Sequence, residues 1–180
     1  VRKFLLNENV DDIDIATILT PEQIIAKFKN TKFKVIESGI KHGTVTLVLN
    51  KLKLELTTLR RDIKSYGRHA DVVFTEDWLE DSKRRDISIN AIYLDRKGKL
   101  YDPQNGVKDL KNKIIRFIGD PDERIQEDYL RIIRFLRFAI QYDSSTDEGT
   151  ILALKLNLDG IKSLSKERIL DELIKILKLD

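Results

Sequence analysis

The sequence contains no cysteine and no methionine, and only three of its 180 residues are proline. Without cysteine, disulfides and thiolate metal sites are excluded. This is compatible with a reducing compartment, and the predicted location is the cytoplasm. Without methionine the chain has no initiator ahead of Val1, so we expect a piece of a longer product. Charged residues interrupt every apolar run, and no stretch resembles a signal peptide or a membrane-spanning segment.

Neither sign of charge dominates the chain. Lysine and arginine number 33 against 30 aspartates and glutamates, which gives a net charge of +3. This mildly basic balance permits a nucleic-acid partner without requiring one. Apolar residues make up 41% and charged residues 35% of the sequence, as in folded proteins. The length suffices for one domain with a sizeable core or for two small ones.

An early stretch alternates between apolar and acidic residues, as a β-strand with one buried face would. Ile13 and Ile15 point to one face, which is predicted to pack on a core, and Asp12 and Asp14 point to the other. Two neighbouring carboxylates repel each other unless a cation lies between them, and Mg²⁺ is the usual cation where phosphates react. The same spacing fits a solvated acidic turn ahead of the helix at Pro21 equally well.

Local signals then predict a helix followed by a hairpin. Thr20 can cap the helix, Pro21 suits its first position, and Gln23 can close a capping box. Residues 44–49 and 52–56 alternate with period two and are joined by a short turn, which predicts a β-hairpin.

Glu55 falls on the polar face of the second hairpin strand and is a candidate third metal ligand. On pattern alone, a cross-strand partner for a lysine is the favoured role. Beyond the hairpin, the charged residues 60–71 predict a mobile loop, 75–84 a helix and 87–94 a strand.

Helix signals dominate the second part of the chain. Asp120 is a predicted N-cap, and apolar residues at helical spacing run from 125 to 140. Residues 151–158 and 166–177 are further predicted helices, so we place a domain boundary near Gly119.

Several motifs occur in a fixed order along the chain. They are Val1-Arg2-Lys3-Phe4-Leu5-Leu6 followed by Asp12-x-Asp14, Lys41-His42-Gly43-Thr44, Glu55-Leu56-Thr57-Thr58-Leu59-Arg60, Arg84-Arg85-Asp86-Ile87-Ser88-Ile89-Asn90-Ala91, Asp102-Pro103-x-x-Gly106-x-x-Asp109-Leu110, Glu127-Asp128-x-x-Arg131 and Ser165-x-Glu167-Arg168-Ile169. One such motif is weak evidence, but the ordered set is specific. With it, the chain resembles the bacterial class II tRNA nucleotidyltransferase and poly(A) polymerase family, which includes the CCA-adding enzymes.

The resemblance covers nearly the whole sequence and implies an α+β fold. It implies a polymerase-β-like nucleotidyltransferase head with a mixed, mainly antiparallel sheet over residues 1–118. An all-helical neck is implied over residues 119–180. The family's helical body and tail, which grip the tRNA elbow, are absent from this sequence.

The resemblance also implies an activity, the addition of C and A from CTP and ATP to the 3′ end of tRNA. Asp12 and Asp14 would hold two Mg²⁺ ions, with Glu55 as the third catalytic carboxylate. Arg85 and Asp86 would contact the incoming ribose, although without the resemblance a helix-end ion pair is the favoured role for these two residues.

The family's template motif implies how the base is chosen. Asp128 and Arg131 are predicted to share one helix face and to pair with the edges of cytosine and adenine, while Glu127 orients Arg131. An exposed, salt-bridged helix surface is the alternative, since Arg124, Arg134 and Arg137 also crowd there. The predicted nucleotide-binding set is Arg2, Arg85, Asp86, Asn90, Asp128, Arg131 and Arg134, and the predicted flexible loop contributes Arg60, Asp62 and Arg68.

The sequence departs from the family in its first motif. The Gly-Gly that opens this motif does not precede Val1, and Lys3 stands where the family has an acid. We therefore expect weak tRNA binding and poor catalysis from this chain alone, unless the missing domains or a second polypeptide supply the grip on tRNA. Three alternatives stay open: a partial enzyme that adds only C or only A, a poly(A) polymerase, and an inactive nucleotide- or RNA-binding remnant. Lys41-His42-Gly43-Thr44 resembles the CCA type more than the polymerase type.

Overall fold

The computed structural model describes residues 1–10, 13–66 and 69–179, and the chain forms two compact units. The first, here called the sheet unit, comprises Lys3–Lys64 and Asp71–Asp81. The second, the helical unit, comprises Val1–Arg2, Ser65–Ala70 and Ser82–Asp180. The predicted head therefore extends beyond the sheet unit, and its boundary near Gly119 stays a prediction.

The described residues contain helices and strands in both halves of the chain. The α-helices are α1 (Arg2–Leu5), α2 (Pro21–Phe28), α3 (Trp78–Lys83), α4 (Gly106–Lys111), α5 (Pro121–Glu127), α6 (Leu130–Gln141), α7 (Glu148–Leu156) and α8 (Lys166–Leu177). The strands are β1 (Ile13–Thr17), β2 (Lys34–Ile36), β3 (Thr44–Leu49), β4 (Leu52–Thr58), β5 (Arg60–Tyr66), β6 (His69–Phe74), β7 (Tyr93–Leu94) and β8 (Leu100–Tyr101). Short 3₁₀ helices cover Ile40–His42, Ser88–Asn90 and Leu158–Ser163. This mixture confirms the predicted α+β class.

The sheet unit is built on a sheet whose described strands follow the order β1-β4-β3-β2. Strand β1 pairs with β4 in parallel, whereas β4–β3 and β3–β2 are antiparallel, which confirms a mixed, mainly antiparallel sheet. The predicted hairpin is β3–β4. Its turn places Asn50 at φ 54°, a left-handed conformation that asparagine tolerates better than most residues.

Helix α2 covers one face of this sheet. Its predicted capping box is confirmed, since Gln23 N donates to Thr20 Oγ1 at 3.4 Å and Thr20 N donates to Gln23 Oε1 at 2.9 Å. Ile24 of α2 is fully buried and forms the core with side chains of the two central strands, namely Val45, Leu47 and Leu56.

The predicted burial of the apolar face of β1 is wrong. Ile15 lies in register with the buried Leu56 and therefore on the core face, but Ile13 and Ile15 are 49% and 37% exposed. The physical reason is that β1 is an edge strand, while Ile24 packs against the central strands.

The loop predicted over 60–71 is also wrong in its described residues. Residues 60–66 and 69–74 are strands β5 and β6, which pair with each other in a two-stranded sheet. Charge and Gly67 favoured a loop, whereas Val72, Val73 and Phe74 belong to the residue types that favour strands.

The predicted strand over 87–94 is largely a turn. Ile87 forms an isolated antiparallel bridge with Phe117, and Ser88–Asn90 then wind into a 3₁₀ helix before the short strand β7. The turn follows Asp86, whose carboxylate accepts hydrogen bonds from Ile87 N at 2.9 Å and from Asn90 Nδ2 at 2.7 Å. These local bonds offer the backbone an alternative to a strand.

The helices predicted after residue 120 are confirmed, with two differences. The helix predicted over 151–158 is α7, which spans Glu148–Leu156. The predicted stripe over 125–140 is divided between α5 and α6, because Asp128 leaves the helix with φ −160° and ψ 105°. The Asp128 carboxylate accepts a hydrogen bond from Leu130 N at 3.2 Å, which closes the first turn of α6. No helix in the described part of the chain is long and apolar enough to cross a membrane.

Within the helical unit, α4 is anchored to the residues that precede it. The Asp102 carboxylate accepts hydrogen bonds from Gly106 N at 2.7 Å and Val107 N at 2.9 Å. Gly106 itself lies against the turn, since a Cβ there would stand 2.3 Å from Ser88 O. The buried Ser88 hydroxyl donates to Asp109 of α4 at 2.5 Å, which joins helix and turn.

Candidate functional site

Two strand carboxylates form the candidate metal site of the sheet unit. Asp14 of β1 and Glu55 of β4 are direct partners in the parallel pair, so their side chains stand side by side on one face. This face is opposite the one that carries Leu56 into the core. Asp14 is exposed and Glu55 half-buried, so both carboxylates are accessible.

These donors suit a hard cation, because two neighbouring carboxylates provide the charge and oxygen ligands that Mg²⁺ binds. Glu55 accepts from Lys53 Nζ at 2.6 Å in an exposed pair on the same strand, which a cation could replace at little cost. Asp12, the other predicted ligand, lies outside the described residues. Among the residues that are described, no group of three or more metal-ligating side chains is assembled, so the ligand set stays a prediction.

In the helical unit, Asp86 lies at the centre of a second candidate site. Its Oδ2 accepts from Arg134 Nε at 2.9 Å and from Nη2 at 2.6 Å, while its Oδ1 accepts from Ile87 N and Asn90 Nδ2. Burial by itself would raise the pKa of Asp86, but the charge of Arg134 and these hydrogen bonds outweigh it and lower the pKa to about 2. Asp86 is therefore ionised at neutral pH.

Asn90 connects Asp86 to Arg2. Arg2 Nη1 donates to Asn90 Oδ1, and the Arg2 guanidinium lies 4.8 Å from the centre of the Phe138 ring. Arg85 Nη1 donates to Asn90 O at 3.3 Å. The structure thus brings together five members of the predicted nucleotide-binding set, namely Arg2, Arg85, Asp86, Asn90 and Arg134.

Glu127 and Arg131 lie in contact, as the predicted orienting role requires. Glu127 Oε2 accepts from Arg131 Nη1 and from Arg124 Nη1, both at 2.5 Å. Arg124 also donates through Nη2 to Arg84 O at 2.7 Å and Arg85 O at 2.8 Å. The Arg124–Glu127 pair fits the salt-bridged alternative, and Arg124 also ties the template motif to the ribose motif.

The prediction that Asp128 and Arg131 share a helix face is wrong, because Asp128 has extended backbone between two helices and Arg131 lies in the first turn of α6. Asp128 instead forms a two-bond ion pair with Arg168 of α8, at 2.7 Å and 3.1 Å. The chain between α5 and α6 is closely packed against Gly160, since a Cβ there would stand 2.1 Å from the Tyr129 ring. The role of Asp128 in base selection stays a prediction.

Arg168 and Glu172 are the partners in α8 that sequence reasoning left without a role. Arg168 belongs to a motif quoted from the sequence, which was the available signal. Glu172 falls one helical turn later, and no sequence signal pointed to it.

Two residues of the predicted flexible loop, Arg60 and Asp62, lie on β5, where Arg60 N donates to Asp81 Oδ1 at 3.2 Å. The third, Arg68, is outside the described residues.

Comparisons with known proteins agree with this architecture. Residues 1–116 match the family model described as the Poly A polymerase head domain. The chain is 45% identical over 181 residues to CCA tRNA nucleotidyltransferase 1, mitochondrial, of Homo sapiens, covering 98% of this chain and 42% of that protein. It is 42% identical to the CCA-adding enzyme of Lactobacillus helveticus, covering 98% of this chain and 44% of that protein.

Solved structures give the same result. The Bacillus stearothermophilus CCA-adding enzyme in complex with CTP superimposes with a TM-score of 0.87 at 35% identity, over 98% of this chain and 42% of that one. The Thermotoga maritima CCA-adding enzyme complexed with tRNA superimposes with a TM-score of 0.80 at 26% identity, over 99% and 41%.

The chain thus spans less than half the length of the relatives it matches. The nucleotidyltransferase head fold predicted from the motifs is confirmed. With a matching model over residues 1–116 and these similarities along its whole length, the chain belongs to the poly A polymerase head domain family, among relatives that are CCA-adding enzymes.

Proposed function

We propose that this chain is the head and neck portion of a template-independent RNA nucleotidyltransferase that adds C and A to the 3′ end of tRNA. One observation of the structure carries the proposal. Asp14 and Glu55 are neighbours on adjacent strands of an exposed sheet face, in a chain similar along its length to CCA-adding enzymes. In this reaction the RNA 3′-oxygen forms a bond to the α-phosphorus of CTP or ATP, and the bond to pyrophosphate breaks.

The carboxylates Asp12, Asp14 and Glu55 would hold two Mg²⁺ ions. When bound, such ions lower the pKa of the 3′-hydroxyl and neutralise charge on the triphosphate and pyrophosphate. The residues themselves fix where the reaction occurs, since strand positions hold side chains more rigidly than loops do. Asp14 and Glu55 are set by the register of β1 and β4.

Base selection would fall to Asp128 and Arg131. Of the four lone-pair sites on the Asp128 carboxylate, Arg168 occupies two and Leu130 N a third, which leaves one for an exocyclic amine. Arg131 is held by Glu127 through Nη1, and its remaining N–H groups can donate to ring acceptors. Uracil and guanine present a carbonyl where cytosine and adenine have the amine, so an acceptor would face an acceptor.

The remaining members of the predicted set would hold the sugar and phosphates. Arg85, Asp86 and Asn90 would select a ribonucleotide, and Arg2 and Arg134 would add positive charge near the nucleotide. The tRNA 3′ end and the two triphosphates are the proposed partners. A cytoplasmic location and a second polypeptide stay predictions, and relatives named as mitochondrial exist as well.

The decisive experiment supplies tRNA lacking its 3′ end, together with CTP, ATP and Mg²⁺, and sequences the products. Slow addition of C, C and A is the expected result, because this chain alone is expected to bind tRNA weakly, and the double variant Asp12→Asn, Asp14→Asn should abolish it. The exposed acid Asp159, which pairs with Lys162 at the surface, provides a matched control as Asp159→Asn. Absence of any product with the wild-type chain would favour the inactive remnant.

A poly(A) polymerase is the second candidate, since the matching family model is described as a Poly A polymerase head domain. The same experiment separates the two enzymes. Long A tails made from ATP alone would identify the chain as part of a poly(A) polymerase. Termination after one A would exclude the polymerase.

A further inference from the structure

Glu172 is a buried acid that the proposed function does not use. It lies in the middle of α8, is 2% exposed and accepts hydrogen bonds from three cations. Arg137 Nε and Lys175 Nζ each donate at 2.8 Å, and Arg134 Nη1 donates at 3.5 Å. Burial raises the pKa of Glu172, but the hydrogen bonds from Lys175 and Arg137 and the neighbouring charges lower it overall, so the acid is ionised.

Arg134 joins this acid to the ribose motif. One edge of its guanidinium, Nε and Nη2, faces Asp86, and the third nitrogen, Nη1, faces Glu172. A planar guanidinium held on two sides by carboxylates has a fixed orientation. The orientation in which Arg134 meets Asp86 therefore depends on Glu172.

Asp86 has little capacity left for a ligand. Its two oxygens accept four hydrogen bonds, from Arg134 twice, from Ile87 N and from Asn90 Nδ2, which fills the acceptor sites of a carboxylate. A ribose hydroxyl could bond to Asp86 only by displacing one of these donors. Asp86 therefore suits the role of support better than the role of contact.

Asn90, unlike Asp86, retains hydrogen-bonding capacity for a ligand. Its amide nitrogen donates one hydrogen to Asp86 and has a second, and its Oδ1 accepts from Arg2 and has a second lone pair. One donor and one acceptor on a half-buried side chain match a ribose 2′-hydroxyl, which is itself both donor and acceptor. Asp86 holds the amide in one orientation and so decides which of its groups face outward.

We propose that Glu172 and Arg134 are positioning residues for ribonucleotide selection, which act through Asp86 to orient the Asn90 amide toward the ribose 2′-hydroxyl. This inference rests on the proposed function, because it concerns the nucleotide that the helical unit binds. The contact chain Glu172–Arg134–Asp86–Asn90 lies entirely within that unit.

The test compares CTP and dCTP binding by isothermal titration calorimetry in Mg²⁺ buffer. Glu172→Gln keeps the size of the side chain and removes its charge, and Asp171→Asn makes the same change at the exposed neighbouring position of α8. We expect Glu172→Gln to weaken CTP binding about fivefold, the usual effect of one lost hydrogen bond, and to leave dCTP binding unchanged. Asp171→Asn should change neither affinity.

The selective loss is the informative result, since a purely structural role would weaken CTP and dCTP equally. Equal weakening, or no change in CTP binding, overturns the inference while leaving the proposed function intact. A wild-type chain that binds no CTP overturns both. If Glu172→Gln does not fold by circular dichroism, Arg134→Lys replaces it, because lysine keeps the charge and loses the two-nitrogen edge; the same selective loss is expected.

A direct measurement supports the binding experiment. The Arg134 Nε–H, enclosed by its bond to Asp86, should give a slowly exchanging signal in ¹⁵N NMR of the wild-type chain. Faster exchange of this signal in Glu172→Gln is the expected result, and an unchanged rate would show that Glu172 does not hold Arg134.

Discussion

In the sheet unit, Asp14 and Glu55 lie on an open strand face, and the one described ion pair of Glu55 is exposed to solvent. In the helical unit, Asp86 and Glu172 are enclosed, and each accepts hydrogen bonds from two or more donors. The difference shows two uses of acidic side chains near a ligand, one as accessible ligands and one as supports for other side chains. The strand acids lie on an accessible face, whereas the helical acids hold arginines and an amide in place.

The largest effect is expected on the exposed strand face of the sheet unit. Asp14→Asn should lower the rate of nucleotide addition by roughly 100-fold or more, because it removes a ligand charge that favours the transition state. Its free energy of unfolding should change by less than about 0.5 kcal/mol, since the side chain is exposed. Steady-state kinetics and urea denaturation measure the two. Activity within twofold of wild type would contradict the assignment.

The next largest effect is expected in the helical unit, where α4 packs against the turn that follows Asp86. Gly106→Ala would place a Cβ 2.3 Å from Ser88 O, which forces α4 away from the turn that follows Asp86. We expect a loss of about 2–3 kcal/mol in unfolding free energy, measured by urea denaturation. The control Gly98→Ala meets no atom within 4 Å, so its cost is limited to the left-handed backbone, about 1 kcal/mol. Equal costs would contradict the close approach.

A third test uses pH to weaken the buried pair. The pKa of Asp86 is depressed from 3.8 to about 2, so its contribution is complete above pH 4 and is lost as the pH falls toward 2. The contribution is about 2 kcal/mol. Urea denaturation between pH 2 and 6 should show this decline, and Asp86→Asn should reduce it. A decline of the same size in that variant would assign the pH dependence to other acids.

The smallest effect is expected for the surface pair Lys53–Glu55, whose side chains are 63% and 41% exposed. Lys53→Gln should change the unfolding free energy by less than about 0.5 kcal/mol, because water screens the pair. Differential scanning calorimetry would measure it. A loss of unfolding free energy as large as that of Gly106→Ala would mean that the exposed Lys53–Glu55 pair contributes as much stability as the buried contacts.

Much of the local structure could be predicted from sequence. The capping box at Thr20, the β3–β4 hairpin and helix α8 follow from period and capping signals within a few residues. The predictions that failed depend on strand pairing and on hydrogen bonds that the hydrophobic period does not record, some of them between residues close in sequence. Ile13 and Ile15 are exposed because of strand order, and the charged segment 60–66 is a strand because it pairs with β6.

The candidate sites divide in the same way. The motifs named Asp14, Glu55, Asp86, Asn90, Asp128 and Arg131, but not the contacts that Arg124, Arg168 and Glu172 make with them. Arg134 and Asp86 are 48 positions apart, and Arg137 and Glu172 are 35 apart, so no local pattern indicates that they meet.

By itself, the sequence determined where this protein forms its hairpin and main helices and which acids and arginines it can use, because hydrophobic period, caps and motif order are local properties. Only the tertiary structure decided that Asp86 is enclosed and that Asp128 leaves its helix to meet Arg168. The physical reason is that a buried charge must find its partners across packed elements, and the packing of α6 against α8 selects which partners are within reach.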